Sequence, residues 1–100
     1  MLKPLGKKRM SKIKEALGLL QEECAEVIVE ISKINRFGLD SAHYKSEFKH
    51  THRTMFENEI GDVLALVDIL IEQDILDTDR LEIAKAKKKE KLKQWSNIYE

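Results

Sequence analysis

The stretch of the sequence from Glu59 to Ile71 is mainly apolar but contains three acidic side chains, Glu59, Asp62 and Asp68. If this stretch is a helix with about 100° per residue, its Ile, Val and Leu side chains cover more than half of the circumference. Glu59 and Asp62 then project from within the apolar sector. A carboxylate that leaves water without a partner costs several kcal/mol and normally takes up a proton instead. Two such groups on one helix face therefore predict a bound cation.

A second acidic group lies on one edge of an earlier helix and consists of Glu22, Glu23, Glu26 and Glu30. Residues three apart are neighbours on a helix surface, so Glu23 and Glu26 form a pair. If the two helices pack side by side, this pair can face Glu59 and Asp62, and four carboxylates converge on one cleft. Such a cleft offers only oxygen ligands, without His or Cys, which favours a hard cation such as Mg²⁺ or Mn²⁺.

The elements that position these acids are predicted to be helices. Ser11 is a candidate N-cap, and Gly38 is a candidate for the residue that ends the first helix after Phe37. Gly18 is a candidate for a bend. Apolar residues recur between these limits at intervals of three and four, as an amphipathic helix requires: Ile13, Leu17, Leu20, Cys24, Val27, Ile28, Ile31 and Ile34.

The second helix is predicted to run from about Thr54 to about Gln73, and a third from a cap at Asp77, Thr78 or Asp79 to about Trp95. Residues 39–53 between the first two helices read as a loop with a short helix around 43–49. The inner face of the third helix is expected to contain Leu81, Ala84, Lys88, Leu92 and Trp95. No stretch has the alternation typical of strands, so the sequence predicts an all-α fold.

Length and charge exclude several classes of protein. One hundred residues make a single domain, 1–100, with residues 1–10 as a flexible basic arm. Eighteen basic and eighteen acidic side chains cancel, so no net field attracts a nucleic acid polymer or a membrane. No apolar run approaches a membrane span, and no signal-peptide pattern opens the chain. The single Cys24 fits a reducing compartment, so a cytoplasmic protein is expected.

The second helix is too apolar for a small monomer. We therefore expect a homo-oligomer, either a dimer or a dimer of dimers, in which a helical bundle is completed by a second chain. Cys24 on the apolar stripe is interpreted as a core residue. Trp95 is interpreted as packing the third helix, with base stacking as the alternative.

The acidic motifs resemble those of a known family. E-E-x-x-E at Glu22, Glu23 and Glu26, followed by E-x-x-D at Glu59 and Asp62, is similar to the motifs of the MazG-like all-α nucleoside triphosphate pyrophosphohydrolases. The surrounding words LLQEECAEVIVEISKINRFG and ENEIGDVLALVDILIE look like the short phage and bacterial members. The resemblance covers about residues 17–95, and it places the protein in the cytoplasm of a bacterium or of a phage-infected cell.

The resemblance implies an Mg²⁺-dependent enzyme that cleaves a nucleoside or deoxynucleoside triphosphate between its α and β phosphates. The products are a monophosphate and pyrophosphate. It assigns the metal to Glu23, Glu26, Glu59 and Asp62, and it gives Glu22 a supporting catalytic role. The gap of 32 residues between the two motifs is long for the family. The excess lies in 39–53, which is either a lid or an oligomer contact.

A triphosphate also needs positive groups near the acids, and the candidates are Lys33, Arg36 and Lys88. Each candidate has a simpler interpretation. Lys88 can snorkel from an apolar helix face, the glutamates of the first motif can be a solvated surface, and Glu59 can complement a helix dipole. His50 and His52 are read as solvated loop residues rather than metal ligands.

Two other functions fit the same sequence. The first is a non-enzymatic helical interaction module, in which the apolar face of the second helix binds a partner and the acids confer specificity. The second is a sensor that binds nucleotide without turnover.

Overall fold

The computed structural model describes residues 6–42 and 50–100, and these residues form three α-helices and no strand. Helix α1 spans Lys7–Phe37, α2 spans His52–Glu72 and α3 spans Thr78–Trp95. The prediction of an all-α fold is confirmed for the described residues. No helix among them is long and apolar enough to cross a membrane.

Helix α1 is longer than the sequence pattern indicated. It begins at Lys7 rather than after Ser11, so the second half of the predicted arm is helical. Gly6 is the N-cap and therefore does not interrupt the helix. The helix continues without a break through Gly18. It ends at Phe37, as predicted, because Gly38 has a φ of 90° that L side chains rarely adopt.

Helix α2 begins two residues before the predicted Thr54, and its N-cap is Thr51. The hydroxyl oxygen of Thr51 accepts the backbone N–H of Thr54 at 3.2 Å. A paired hydrogen bond from the Arg53 guanidinium to the Asp40 carboxylate, at 3.0 and 3.1 Å, joins the start of α2 to the end of the preceding turn. The short helix predicted around 43–49 lies outside the described residues.

Helices α1 and α2 pack side by side in antiparallel directions. Phe37, at the end of α1, stacks on His52 at the start of α2, and at the opposite end Arg9 donates a hydrogen bond to the carbonyl of Gln73. The buried apolar side chains of the described residues lie along this seam: Ile13 and Ala16 of α1, and Leu66 and Leu70 of α2. Cys24 is exposed, so its interpretation as a core residue is wrong for the single chain. Its helix turns it away from α2.

Helix α3 begins after the predicted cap Asp77, whose carboxylate accepts the backbone N–H of Arg80 at 3.0 Å. None of its residues is buried. Leu81 and Leu92 are half-buried, but Trp95 is 77% exposed, so the interpretation of Trp95 as a packing residue is wrong for the single chain. The reason is that α3 diverges from α2 and leaves a groove of about 690 Å³ between them.

Candidate metal centre

The antiparallel packing of α1 and α2 brings three of the predicted metal ligands together. Glu23 of α1 and Glu59 and Asp62 of α2 each place one carboxylate oxygen within 4.8 Å of the others. Glu23 and Glu59 are half-buried, and Asp62 is exposed. The centre therefore lies at the border between the seam and solvent, where a ligand can reach it.

The other two acids of the first motif, Glu22 and Glu26, are more exposed to solvent than Glu23. Glu26 is exposed and is not part of the 4.8 Å group, but its charge acts on Glu59. We call Glu23, Glu26, Glu59 and Asp62 the acidic cleft. Glu22 is exposed, and it is turned by about 100° from Glu23 around the helix axis. Its position suits contact with solvent or substrate better than direct contact with a shared cation.

The surroundings of Glu59 oppose the ionisation of its carboxyl group. Burial raises the pKa of the Glu59 carboxyl above its ordinary value, and the negative charges of Asp62, Glu23 and Glu26 raise it further. A hydrogen bond with the Glu23 carboxyl acts in the same direction. Two carboxyl groups can share such a bond only when one holds a proton. The acids around Glu59 thus oppose the ionisation of its carboxyl group when no cation neutralises them.

The donor set fits a hard divalent cation. Carboxylate oxygens from two helices are the ligands that Mg²⁺ and Mn²⁺ prefer, and Mg²⁺ usually takes few protein ligands and retains waters. Glu23, Glu59 and Asp62 would hold the ion, with Glu26 next to them on α1. Among the described residues no other group of His, Cys, Asp and Glu meets the same distance criterion.

Glu30 differs from the solvated residue expected on the acidic edge, because it is only 4% exposed. At about 100° per residue it projects between Glu23 and Glu26, toward α2. Its Oε1 receives a hydrogen bond from Lys33 at 3.4 Å. Its Oε2 has no hydrogen-bond partner among the described residues. The residues next to Glu30 in the sequence do not indicate that it is buried. Its angular position on the helical wheel of α1 does.

The three predicted substrate-binding cations have different surroundings. Lys33 is paired with Glu30, and the Arg36 guanidinium lies 5.6 Å from the centre of the Phe37 ring. Lys33 and Arg36 line a shallow groove of about 360 Å³ on the outer side of α1. Lys88 is exposed on α3. The single chain therefore places two of these cations on the helix that carries the first acidic motif, and the third on a separate element.

His52 is a second residue whose surroundings the sequence did not reveal. It is 3% exposed, and its ring stacks on Phe37 with a centroid distance of 5.5 Å and an interplanar angle of 19°. Its interpretation as a solvated loop residue is wrong because α2 begins at His52 and turns the ring toward α1. His50 is exposed, as expected.

Comparison of the chain with family models, curated proteins and solved structures finds no match.

Proposed function

We propose that the protein is an Mg²⁺-dependent nucleoside triphosphate pyrophosphohydrolase that releases a monophosphate and pyrophosphate. One observation carries the proposal: carboxylate oxygens of Glu23, Glu59 and Asp62 come within 4.8 Å of one another from two different helices. Surface acids repel one another, and such a convergence is costly unless a cation compensates it. The similarity of the motifs to those of the MazG-like enzymes supports the choice of reaction.

Each acid of the cleft has a role in this proposal. Glu23, Glu59 and Asp62 hold the ion, Glu26 completes its negative surroundings, and Glu22, turned outward, orients a water or a substrate oxygen. A bound Mg²⁺ would neutralise phosphate charge and lower the pKa of a water. Phosphoryl transfer requires mainly such positioning and charge compensation from a protein. Lys33, Arg36 and Lys88 are proposed to contact the polyphosphate.

The proposed assembly is a homo-oligomer, a dimer or a tetramer, in which a helical bundle forms from more than one chain. The support is the exposure of large apolar side chains on all three helices, such as Ile28 at 68%, Leu64 at 57% and Ile83 at 55%. An isolated chain of this kind would present an apolar surface that soluble monomers rarely expose. The proposed location is the cytoplasm, where the single Cys24 stays reduced.

The test is an assay of the common ribo- and deoxyribonucleoside triphosphates with Mg²⁺, in which the products are separated by ion-exchange chromatography. Monophosphate with pyrophosphate, produced by the natural chain and lost in Glu59→Gln, is the expected result. Glu57→Gln is the matched control, because Glu57 is an exposed acid of the same helix outside the acidic cleft. Diphosphate with orthophosphate would contradict the proposed bond cleavage.

The exposed apolar side chains also favour the second candidate, a helical interaction module without enzymatic activity. Under that function, Glu59→Gln and Asp62→Asn alter assembly with a partner. Under the proposed function, they preserve assembly and abolish metal binding. A nucleotide sensor is distinguished from both because it binds nucleotide with Mg²⁺ and yields no product in the assay.

A further inference from the structure

Glu30 is a charged residue within the seam between α1 and α2, and the candidate metal centre does not use it. Its exposed fraction is only 4%. Glu30 is seven residues, or about 10 Å along the axis of α1, from both Glu23 and Phe37. Both of these residues approach α2, Glu23 at the candidate metal centre and Phe37 at the ring of His52. Glu30 therefore lies midway between the acidic cleft and the stacked rings.

The seam at the level of Glu30 is otherwise apolar. Four half-buried apolar side chains share this level, two from each helix: Val27, Ile34, Met55 and Phe56. The two on α1 lie within about 60° of Glu30 on the helical wheel, and the two on α2 lie between His52 and Glu59 in the chain. Ligand pockets usually combine apolar walls of this kind with a few fixed polar groups. The carboxylate of Glu30 is such a polar group.

One oxygen of the Glu30 carboxylate has no hydrogen-bond donor. Lys33 donates a hydrogen bond to Oε1 at 3.4 Å, which is near the upper limit of length for such a bond. Oε2 is enclosed and has no partner among the described residues. A buried acceptor without a donor destabilises a folded chain, and native proteins contain few of them. Oε2 is therefore suited to accept a hydrogen bond from a ligand.

Lys33 lies on the side from which a ligand can approach Glu30. Its side chain is 33% exposed, and on the helical wheel it projects about 60° from Glu30, on the same side of α1 as Glu26. An ion pair with a partly exposed lysine contributes little to stability, so its displacement costs little. Movement of the Lys33 side chain would open Oε2 toward the acidic cleft and free the lysine amine for a phosphate.

A carboxylate oxygen discriminates between bases by their hydrogen-bond donors. An ionised carboxylate accepts hydrogen bonds and donates none. Cytosine, adenine and guanine each carry an exocyclic amino group, which is a donor. Uracil, thymine and hypoxanthine lack this group and carry a carbonyl oxygen, which would place a second acceptor against Oε2. The carboxylate therefore favours a base that bears an amino group.

We propose that Oε2 of Glu30 accepts a hydrogen bond from the exocyclic amino group of the base, so that the acidic cleft prefers triphosphates of cytosine, adenine or guanine nucleosides. The phosphates lie at Glu23, Glu59 and Asp62, and the nucleoside extends along α1 toward Glu30. The inference rests on the proposed function, because it takes a nucleotide as the ligand of the cleft, and it adds the class of base. Glu30 determines specificity and does not contact the reacting phosphates.

The first test uses the natural chain and compares deoxynucleoside triphosphates that differ in one amino group. The pairs are dCTP with dUTP, dATP with dITP, and dGTP with dITP. In at least one pair, the substrate with the amino group is expected to have a kcat/KM about tenfold or more above that of its partner, as a hydrogen bond to a charged acceptor allows. Equal values within every pair would overturn the proposal.

The second test is Glu30→Gln, which keeps the size of the side chain and replaces the charged acceptor with an amide that also donates. The preference within the pair is expected to fall to within about threefold of unity. Glu15→Gln is the matched control and should retain the preference, because Glu15 is an exposed acid of α1 outside the acidic cleft. A preference that survives in Glu30→Gln would overturn the proposal. A purely structural Glu30 would change stability but not the ratio between two substrates of equal size.

Binding without turnover separates this inference from the proposed function. Analogues of the same pairs with a methylene bridge between the α and β phosphorus atoms cannot be cleaved there, and calorimetry with Mg²⁺ measures their affinities. If the analogue with the amino group binds more tightly and Glu30→Gln removes the difference, but no triphosphate is hydrolysed, the proposed function fails and the inference stands. If hydrolysis yields monophosphate equally within every pair, the inference fails and the proposed function stands. If no analogue binds and no triphosphate is hydrolysed, both fail.

Discussion

The pair of helices α1 and α2 presents two opposite surfaces with contrasting chemistry. The acidic cleft gathers carboxylates from both helices, and the pKa of Glu59 is raised by burial and by its acidic neighbours. The opposite side carries exposed apolar side chains, among them Ile28 and Leu64, which are both more than half exposed. Each surface has a different energetic cost: converging carboxylates on the first, and apolar side chains exposed to water on the second. A cation would offset the first, and another apolar surface would offset the second.

The seam between α1 and α2 determines the arrangement of both surfaces. Ile13, Ala16, Leu66 and Leu70 lie between the two surfaces and fix the register of α1 against α2. That register places Glu23 next to Glu59 and Asp62. It also places Ile28 and Leu64 on the other side of the helix pair. Substitutions on one surface should therefore leave the other intact, whereas substitutions in the seam should affect both.

Removal of a single carboxylate from the acidic cleft is expected to have the largest effect. Glu59→Gln should lower turnover at least about 100-fold, because loss of a ligand exceeds the 10–100-fold effects typical of groups that only support ligands. Single-turnover hydrolysis with Mg²⁺ measures this effect, and the mass of the protein in solution should stay unchanged. Full activity in Glu59→Gln would show that the cleft is not the catalytic centre.

Truncation of a side chain in the seam should disrupt the arrangement of both surfaces together. Leu70 is 1% exposed, and Leu70→Ala should lower the free energy of unfolding by about 2–5 kcal/mol because it leaves a cavity between the helices. Urea denaturation measures the change. Ile83→Ala is the control: at 55% exposure on α3, it should change the free energy by no more than about 0.5 kcal/mol. Equal effects of the two substitutions would contradict the assigned core.

Metal should stabilise the folded chain through the acidic cleft. Mg²⁺ or Mn²⁺ at about 100 times its dissociation constant should add about 2.7 kcal/mol, since it binds only the folded state. For a domain of this size, the melting temperature should rise by roughly 10–20 °C. Thermal melts at constant ionic strength, with Glu59→Gln as the control, measure the shift. A melting temperature that millimolar metal leaves unchanged would count against the cleft.

The pH dependence should be the smallest of these effects. Because the pKa of Glu59 in the folded protein is raised above 4.5, the protonated form favours folding. That stability is fully present below the unfolded value and is lost as the pH rises through the folded value. Without metal, the natural chain should therefore lose more stability than Glu59→Gln between pH 4.5 and neutrality. Identical pH profiles would show that Glu59 ionises freely.

Several features of the molecule follow from its sequence alone. Periodic apolar residues predicted three helices, and Gly38 and Asp77 marked a helix end and a helix start where the structure has them. The spacing of the two motifs placed Glu23, Glu59 and Asp62 on helix faces that could meet. These predictions succeeded because hydrogen bonding and steric preference along the backbone are local, and capping residues act within one turn.

Other features depend on which side of each helix meets a neighbour. A wide apolar sector does not specify which part of it faces the partner helix. Cys24 and Trp95 were expected inside and are exposed, whereas His52 was expected in solvent and is buried. Each of these outcomes depends on the packing angle of one helix against another, which is a property of the whole fold rather than of the local sequence.

The sequence and the tertiary structure determine different features of this molecule for a physical reason. The sequence by itself determined the helices, the helix end at Gly38, the cap at Asp77 and the acids available for a cation, because these depend on residues within a few positions of one another. Only the tertiary structure decided that three carboxylates come within 4.8 Å and which apolar side chains, such as Ile28 and Leu64, stay exposed. Both facts arise from the antiparallel register of α1 and α2, which contacts between residues distant in the chain establish.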